Sequence, residues 1–195
     1  MNRLFAIAGI LGGLGWIVIS IFPPEWGPPG TRSYEYYQAW NRLWTPALLL
    51  MTLGFLSFFI SLRPTLNRWS RGGLIALLVG FGMMMIGNVA EFWIFTSVPY
   101  SNGGGPNVRD LAWETFLLGM LVMLIGGTVA GLALFRTGLV PKWLAGLLAL
   151  LLPLTIGLAA INMGWTGIPI GSLAVVVDSL GLLPGAASSA QASKA

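Results

Sequence analysis

Three acidic side chains fall inside long apolar stretches of this sequence. Glu91, Glu114 and Asp178 are surrounded by apolar residues, whereas the ten lysines and arginines are all expected outside such stretches. An ionisable side chain near the centre of a bilayer costs roughly 2.5–3.5 kcal/mol on insertion scales, so a retained acid is expected to face protein or a wet cavity. We therefore treat these three acids as candidates for binding or proton-transfer chemistry.

Glu91 and Glu114 are expected to lie near each other on consecutive helices. At about 1.5 Å per residue, Glu91 sits roughly 10 Å and Glu114 roughly 5 Å below the same membrane interface. Asn88 precedes Glu91 by one helical turn and adds a polar group to the same stripe. Trp93 and Trp113 lie at a similar depth, where aromatic faces could hold a quaternary or protonated amine. The candidate residues for ligand or proton binding are Asn88, Glu91, Trp93, Trp113, Glu114 and Asp178.

Each of the three acids also has a purely structural interpretation. Glu114 can sit at a helix N-terminus, where the helix dipole favours an anion, with Arg109 as its neighbour. Glu91 can hydrogen-bond an adjacent helix and so hold the packing together. Asp178 is an ordinary solvated side chain if its segment lies at the membrane surface instead of crossing.

The residues that are missing exclude most enzyme chemistry. The chain has no cysteine and no histidine, which excludes His-ligated haem, iron–sulfur clusters, thiolate zinc sites and Ser–His nucleophiles. Both lysines, Lys142 and Lys194, lie outside the apolar stretches, so a Schiff-base lysine in mid-membrane is also missing. We therefore expect no catalytic residue, no metal and no cofactor, and we interpret the protein as not an enzyme.

The composition places the elements that carry these residues in a membrane. The chain has 195 residues, of which 56% are hydrophobic and only 8% charged, against about 25% charged in average globular proteins. Crossing the bilayer takes about 20 helical residues. The sequence predicts an all-α bundle of six transmembrane helices in one domain, 1–183, with the sixth helix short and a disordered tail at 184–195. The predicted spans are 4–22, 43–62, 74–98, 111–135, 143–163 and 168–183.

The distribution of cations predicts the orientation of the chain. One face of the predicted bundle carries Arg3, Arg63, Arg68, Arg71, Arg136, Lys142 and Lys194. The other face carries Arg32, Arg42 and Arg109. Since cytoplasmic loops are enriched in Lys and Arg, both termini are expected in the cytoplasm of a multi-pass cell-membrane protein. This topology explains the formal charge of +4, and we expect no nucleic-acid partner.

Local patterns add three finer expectations. Ser33 is expected to cap a short helix that lies along the outer interface and then turns into the second span. Pro153 is expected to kink the fifth span, since it leaves the carbonyl of Ala149 without an amide partner. Glycines, among them Gly82 in the third span and the Gly127-x-x-x-Gly131 motif in the fourth, indicate closely packed helices.

Two functions remain open at this level. The first is a non-enzymatic accessory or binding subunit whose aromatic outer half holds a lipid, an amphiphilic or cationic small molecule, or a membrane partner. Membrane lipid is then the expected partner, with another membrane protein or a second copy of the chain as further candidates. The alternative is a small secondary or proton-linked transporter that uses Glu91, because transporters commonly bind their substrate near the midplane of the bilayer.

Overall fold

The described part of the chain is built from helices. The computed structural model describes residues 2–22, 24–25, 27–101 and 105–161, and every regular element within them is helical. The elements are α1 (Asn2–Ile21), α2 (Arg32–Arg42), α3 (Trp44–Leu62), α4 (Arg68–Val89), a π turn (Ala90–Ile94), α5 (Val108–Thr137), α6 (Lys142–Ala149) and α7 (Leu151–Ala159). The predicted sixth span (168–183), its Asp178 and the predicted tail (184–195) lie outside the described residues.

Four helical stretches are long and apolar enough to cross a membrane. They are Leu4–Ile21, Arg32–Leu62, Arg68–Ile94 and Val108–Thr137. α6 and α7 together pass the same test but are bent by 52° relative to each other, so they make a fifth span only if the bent pair counts as one. The chain therefore has the helices of a multi-pass membrane protein, and the orientation of its termini stays a prediction.

The predicted fifth span, 143–163, is not one straight helix. α6 ends at Ala149 and α7 begins at Leu151, with the bend between them at Leu150. Pro153 has no amide hydrogen to donate to the carbonyl of Ala149. The bend therefore falls where the proline pattern predicts a kink.

The helix predicted at the membrane surface runs on directly into the second span. Thr31, not Ser33, caps α2, and its side chain accepts a hydrogen bond from the amide of Tyr34. Only Leu43, itself in the right-handed helical region, separates α2 from α3. The pair forms a stretch of 31 residues, about 46 Å long at about 1.5 Å per residue. α2 is therefore the first part of this long stretch, and the predicted turn before α3 is wrong.

The helices pack in chain order around one apolar core. α1 packs on α3, α3 on α4, α4 on α5, and α5 on both α6 and α7. Phe55 and Phe81, fully buried on α3 and α4, meet with ring centroids 5.4 Å apart. Many apolar side chains on the outside of the bundle stay exposed, for example Ile86 at 63% and Leu132 at 52%. Such extensive apolar exposure is unusual for a soluble monomer.

The most extensive helix–helix contact lies between α4 and α5. Gly73, Gly80 and Gly87, spaced seven residues apart on α4, each lie against the α5 backbone. A Cβ atom on Gly73 would lie 2.6 Å from the amide nitrogen of Ala130, and one on Gly87 would lie 2.6 Å from the carbonyl oxygen of Ala112. Larger residues therefore cannot replace these glycines without moving the backbones apart. We call this contact the α4–α5 seam.

Glycines do lie at close helix–helix contacts as predicted, but not every predicted glycine does. Gly82 has open space where a side chain would be, so it takes no part in the α4–α5 seam. The Gly127-x-x-x-Gly131 motif packs within the chain, with Gly127 against Leu151 and Gly131 against the backbone at Ala149. Small residues thus determine how closely α5 approaches its neighbours on two sides.

Candidate ligand site at the end of the seam

A cavity opens where the α4–α5 seam ends. Its volume is about 240 Å³. It lies between the C-terminal ends of α1 and α4, the junction of α2 with α3, and the first turns of α5. The lining residues are Ile19, Ser20, Pro24, Tyr37, Trp40, Asn41, Trp44, Asn88, Glu91, Phe92, Trp113 and Phe116. We call it the Glu91 cavity.

The π turn gives Glu91 its position in the wall of this cavity. The amide of Phe95 donates to the carbonyl of Ala90 at 2.8 Å, a bond that spans five residues where an α-helix spans four. Glu91 and Phe92 are only 2% and 3% exposed, whereas the next residue, Trp93, is 54% exposed. A π turn inserted in an α-helix is frequent at functional sites, because it re-aims the side chains around it.

One oxygen of Glu91 is paired and the other is not. Oε1 accepts a hydrogen bond from the hydroxyl of Tyr100. Oε2 is buried and has no hydrogen-bond partner among the described residues. A buried acceptor without a partner costs about 1–3 kcal/mol, and more when it is charged. Glu91, a lining residue of the cavity, therefore carries an unused hydrogen-bond acceptor.

Behind Tyr100 lies a fully buried cation, Arg109. Its guanidinium carbon is 4.3 Å from the centroid of the Tyr100 ring and 5.7 Å from that of Tyr34. Nη1 donates to the hydroxyl of Tyr34 and, at 3.0 Å, to the carbonyl of Val98. Nε and Nη2 are buried without partners among the described residues.

The arginine overturns an assumption of the sequence analysis. Arg109 belongs to the first turn of α5, inside one of the membrane-length stretches, and is 0% exposed. A cation at a helix N-terminus opposes the helix dipole, so its burial there needs compensation from elsewhere. The carbonyl of Val98, the two tyrosine rings and the nearby charge of Glu91 supply it. Tyr100 therefore lies between the carboxyl of Glu91, to which it donates a hydrogen bond, and the cation of Arg109, which faces its ring.

A second set of hydrogen bonds connects Asn88 to the start of α3. The hydroxyl of Thr45 donates to Oδ1 of Asn88 at 2.6 Å and accepts from Nε1 of Trp93 at 3.0 Å. Nδ2 of Asn88 donates to the carbonyl of Asn41 at 3.2 Å. Arg42 donates from Nε to the carbonyl of Phe92 at 2.8 Å. These contacts tie the end of α4 to the junction of α2 and α3, which fixes one wall of the Glu91 cavity.

Aromatic rings form most of the remaining wall. Trp113 stacks on Phe116 with ring centroids 5.6 Å apart and an interplanar angle of 8°. Trp44 meets Phe116 edge to face at 6.3 Å, and Tyr37 meets Phe92 in the same way at 5.9 Å. Ring faces of this kind attract cations, more strongly when water is excluded. The wall is suited to an apolar or cationic ligand.

Burial affects the titration of the tyrosine that contacts Glu91. The pKa of Tyr100 lies above its ordinary value of about 10, chiefly because burial disfavours the phenolate. The hydrogen bond to Glu91 raises this pKa further, whereas the charge of Arg109 acts in the opposite direction. Tyr100 therefore remains a hydrogen-bond donor to the carboxyl across the physiological pH range.

The structure brings together only part of the predicted site. Asn88, Glu91 and Trp113 line the Glu91 cavity. Glu114 is exposed on α5 and is not among the lining residues, so it forms no pair with Glu91 there. Trp93 is likewise outside the lining, because the π turn directs it outward and Thr45 holds it. The functional roles of these residues stay predictions.

Sequence reasoning missed the contribution of Arg109, and one feature could have revealed it. The side chain of Asn107 accepts from the amide of Asp110, and that of Asp110 accepts from the amide of Asn107. This capping box starts α5 at Val108, three residues before the predicted span begins. Reading it as a helix start places Arg109 inside the helix and not in the loop.

Within the part of the chain that the structure describes, no three acidic side chains come together to form a candidate metal site. Comparisons of the chain with protein-family models, with curated proteins and with solved structures found no match. The geometry of the Glu91 cavity is therefore what indicates a function.

Proposed function

We propose that this protein is a non-enzymatic membrane binding protein whose Glu91 cavity holds the cationic, hydrogen-bond-donating head of a small amphiphilic molecule. The observation that carries the proposal is the buried Oε2 of Glu91, which lacks a partner among the described residues, on a side chain that lines a cavity rich in aromatic rings. A ligand that donates a hydrogen bond to this oxygen removes the cost of leaving it unpaired.

The ligand class follows from the charges around the cavity. Glu91 lines the cavity, whereas Arg109 lies behind Tyr100 and is not among the lining residues. A ligand therefore meets a carboxyl and ring faces but no guanidinium. Both groups favour a protonated amine over an anion. Arg109 compensates the carboxyl while the cavity holds no ligand, which allows the protein to fold alone.

The size of the cavity limits what can enter. Ligand pockets commonly have volumes of about 300–1,000 Å³, and this cavity has about 240 Å³. A whole phospholipid is too large for it. The ligand, or the part of it that enters, is therefore of the size of a single ring with a short amine.

Packing below the cavity favours binding over the alternative of proton-linked transport. The seam closes directly beneath the site, since a Cβ on Gly87 would lie 2.6 Å from the backbone at Ala112 and Phe116. A carrier would have to open this contact in each cycle. Transport by Glu91 remains the second candidate and is tested by the same variants in a liposome flux assay.

The test compares an amine with its neutral counterpart. We would measure binding of benzylamine and benzyl alcohol to the detergent-purified protein by the change in tryptophan fluorescence. We expect benzylamine to bind at least about tenfold more tightly, since a hydrogen bond to a charged group contributes about 1.5–3 kcal/mol. In Glu91→Gln this preference should disappear.

A second carboxyl supplies the control. Glu114 lies on α5 near the cavity but is exposed and outside the lining, so Glu114→Gln should keep the full preference for the amine. A preference that survives in Glu91→Gln, or that is lost in Glu114→Gln, contradicts the proposal. Melting temperatures of both variants separate loss of binding from loss of fold.

A further inference from the structure

A different surface of the same helix pair lies at the opposite end of the α4–α5 seam. Two open hollows, of about 500 and 330 Å³, adjoin each other between the first turns of α4 and the last turns of α5. They share Trp69 and Val129 in their walls. Arg68 borders the first hollow and Arg136 the second. We call the two hollows together the Trp69 groove.

Among the described residues, the charges at this end are all positive. Exposed cations follow one another along the ends of α3, α4, α5 and α6, namely Arg63, Arg68, Arg71, Arg136 and Lys142. The sequences 61–73 and 135–143, which form this end, contain no acidic residue. These cations therefore attract an anion that approaches the Trp69 groove.

The two arginines that border the groove are available to a ligand. Neither the Arg68 nor the Arg136 side chain has a hydrogen-bond partner among the described residues, whereas Arg71 donates to the carbonyl of Arg63 at 3.3 Å. The guanidinium carbon of Arg68 lies 5.4 Å from the centroid of the Trp69 ring. Planar guanidinium groups bind phosphate oxygens in a bidentate geometry.

The floor of the groove is apolar and is formed partly by glycines. Gly72, Gly73 and Gly126 contribute no side chain, and Ala76, Ile125 and Val129 supply the apolar wall along the seam. A hydrocarbon chain can lie along this strip while its phosphate stays at the level of the arginines. Basic pockets between transmembrane helices bind anionic lipid headgroups in this way.

We propose that the Trp69 groove is a binding site for an anionic phospholipid, with the phosphate between Arg68 and Arg136 and an acyl chain along Ala76 and Ile125. The site is separate from the Glu91 cavity, which lies at the other end of α4 and α5. Its ligand differs from the cavity ligand in charge and size. The inference therefore does not depend on the proposed function.

The test measures lipid adducts by native mass spectrometry. The full chain would be incubated with phosphatidylglycerol or with phosphatidylcholine of the same acyl chains. We expect a clear preference for phosphatidylglycerol in the unmodified protein, and about a fivefold weaker affinity for each of Arg68→Gln and Arg136→Gln. Lys142→Gln is the matched control, because Lys142 is an exposed cation at the same end but lies outside the groove.

Two further measurements distinguish a lipid site from simple attraction of an anion to the exposed cations. Val129→Phe keeps every charge but fills the shared wall of the two hollows, so it should also lower phosphatidylglycerol binding. Glycerophosphate, which has the head but no acyl chain, should not compete. The proposal is overturned if Lys142→Gln weakens binding as much as Arg68→Gln, if Val129→Phe has no effect, or if glycerophosphate competes as well as the lipid.

Discussion

The same two helices, α4 and α5, are held together in two different ways along their length. Along the α4–α5 seam, glycines let the backbones touch, with a Cβ on Gly73 only 2.6 Å from the backbone of Ala130. At the end of the seam the Glu91 cavity opens beside the two helices. There the contact is made by a chain of polar groups that runs from Glu91 through Tyr100 to Arg109.

On α4 the two regions change over within a single residue. Gly87 makes the last close contact of the seam, and Asn88 is the first residue of α4 in the cavity wall. On α5 the two regions overlap, because the backbones of Ala112 and Phe116 contact Gly87 while Trp113 and Phe116 line the cavity. Glycines thus leave no space between the two backbones along the seam, whereas aromatic residues line the cavity at its end.

Loss of the buried cation should have the largest effect on stability. Arg109→Met removes a fully buried cation together with its hydrogen bonds to the Tyr34 hydroxyl and the Val98 carbonyl and its contact with the Tyr100 ring. Removing one member of a buried charged network typically costs about 3–5 kcal/mol. We expect the free energy of unfolding, measured by denaturation in detergent micelles, to fall by about 3 kcal/mol. Adding Glu91→Gln to this variant should recover part of the loss, because the charge of the buried carboxyl is then gone as well.

An exposed arginine at the same end of the bundle supplies the control for this prediction. Arg32 is exposed at the start of α2, so Arg32→Met should change stability by no more than about 0.5 kcal/mol. Equal effects of Arg32→Met and Arg109→Met would mean that the polar cluster does not hold α4 and α5 together at this end. The comparison between the two regions would then fail.

Even a single methyl group added within the α4–α5 seam should destabilise the protein. Gly80→Ala places a methyl group 2.5 Å from the carbonyl oxygen of Gly119, and overpacking of this kind costs about 1–3 kcal/mol. Gly82→Ala, two residues away with nothing within 4 Å, should be neutral or slightly stabilising, since alanine favours helix more than glycine. Thermal unfolding, monitored by tryptophan fluorescence, distinguishes the two variants. Similar melting temperatures for both would show that the seam is not closely packed.

Alkaline pH should weaken the polar region and spare the seam. The pKa of Tyr100 is raised in the folded protein, mainly by burial, so the unfolded chain loses this proton at lower pH than the folded one. Stability is therefore fully present below the unfolded pKa of about 10 and falls as the pH rises above it. Tyr100→Phe should flatten this fall in a pH series of unfolding measurements, while Gly80→Ala should keep it. An unchanged slope in Tyr100→Phe would contradict the assignment.

The positions of the long helices could be predicted from the sequence, but the side-chain contacts between them could not. Four of the apolar stretches become membrane-length helices, although the second begins at Arg32 instead of 43 and the third at Arg68 instead of 74. Hydropathy predicts such stretches because it sums over a whole segment. Glu91 could be selected because a buried acid is costly wherever its helix lies. Its pairing with Glu114 could not be tested in this way, since that pairing depends on how each helix is rotated about its own axis.

The sequence by itself determined that this chain is helical, that its helices are apolar over membrane length, and that Asn88 and Glu91 are polar groups where such groups are expensive. Only the tertiary structure decided that Tyr100 contacts both Glu91 and Arg109, that Glu114 and Trp93 turn away, and that a cavity opens beyond Gly87. The physical reason is that burial cost belongs to each residue and its segment, whereas contact depends on helix register. One π turn, or one helix that starts three residues early, changes that register while the hydropathy of the segments stays the same.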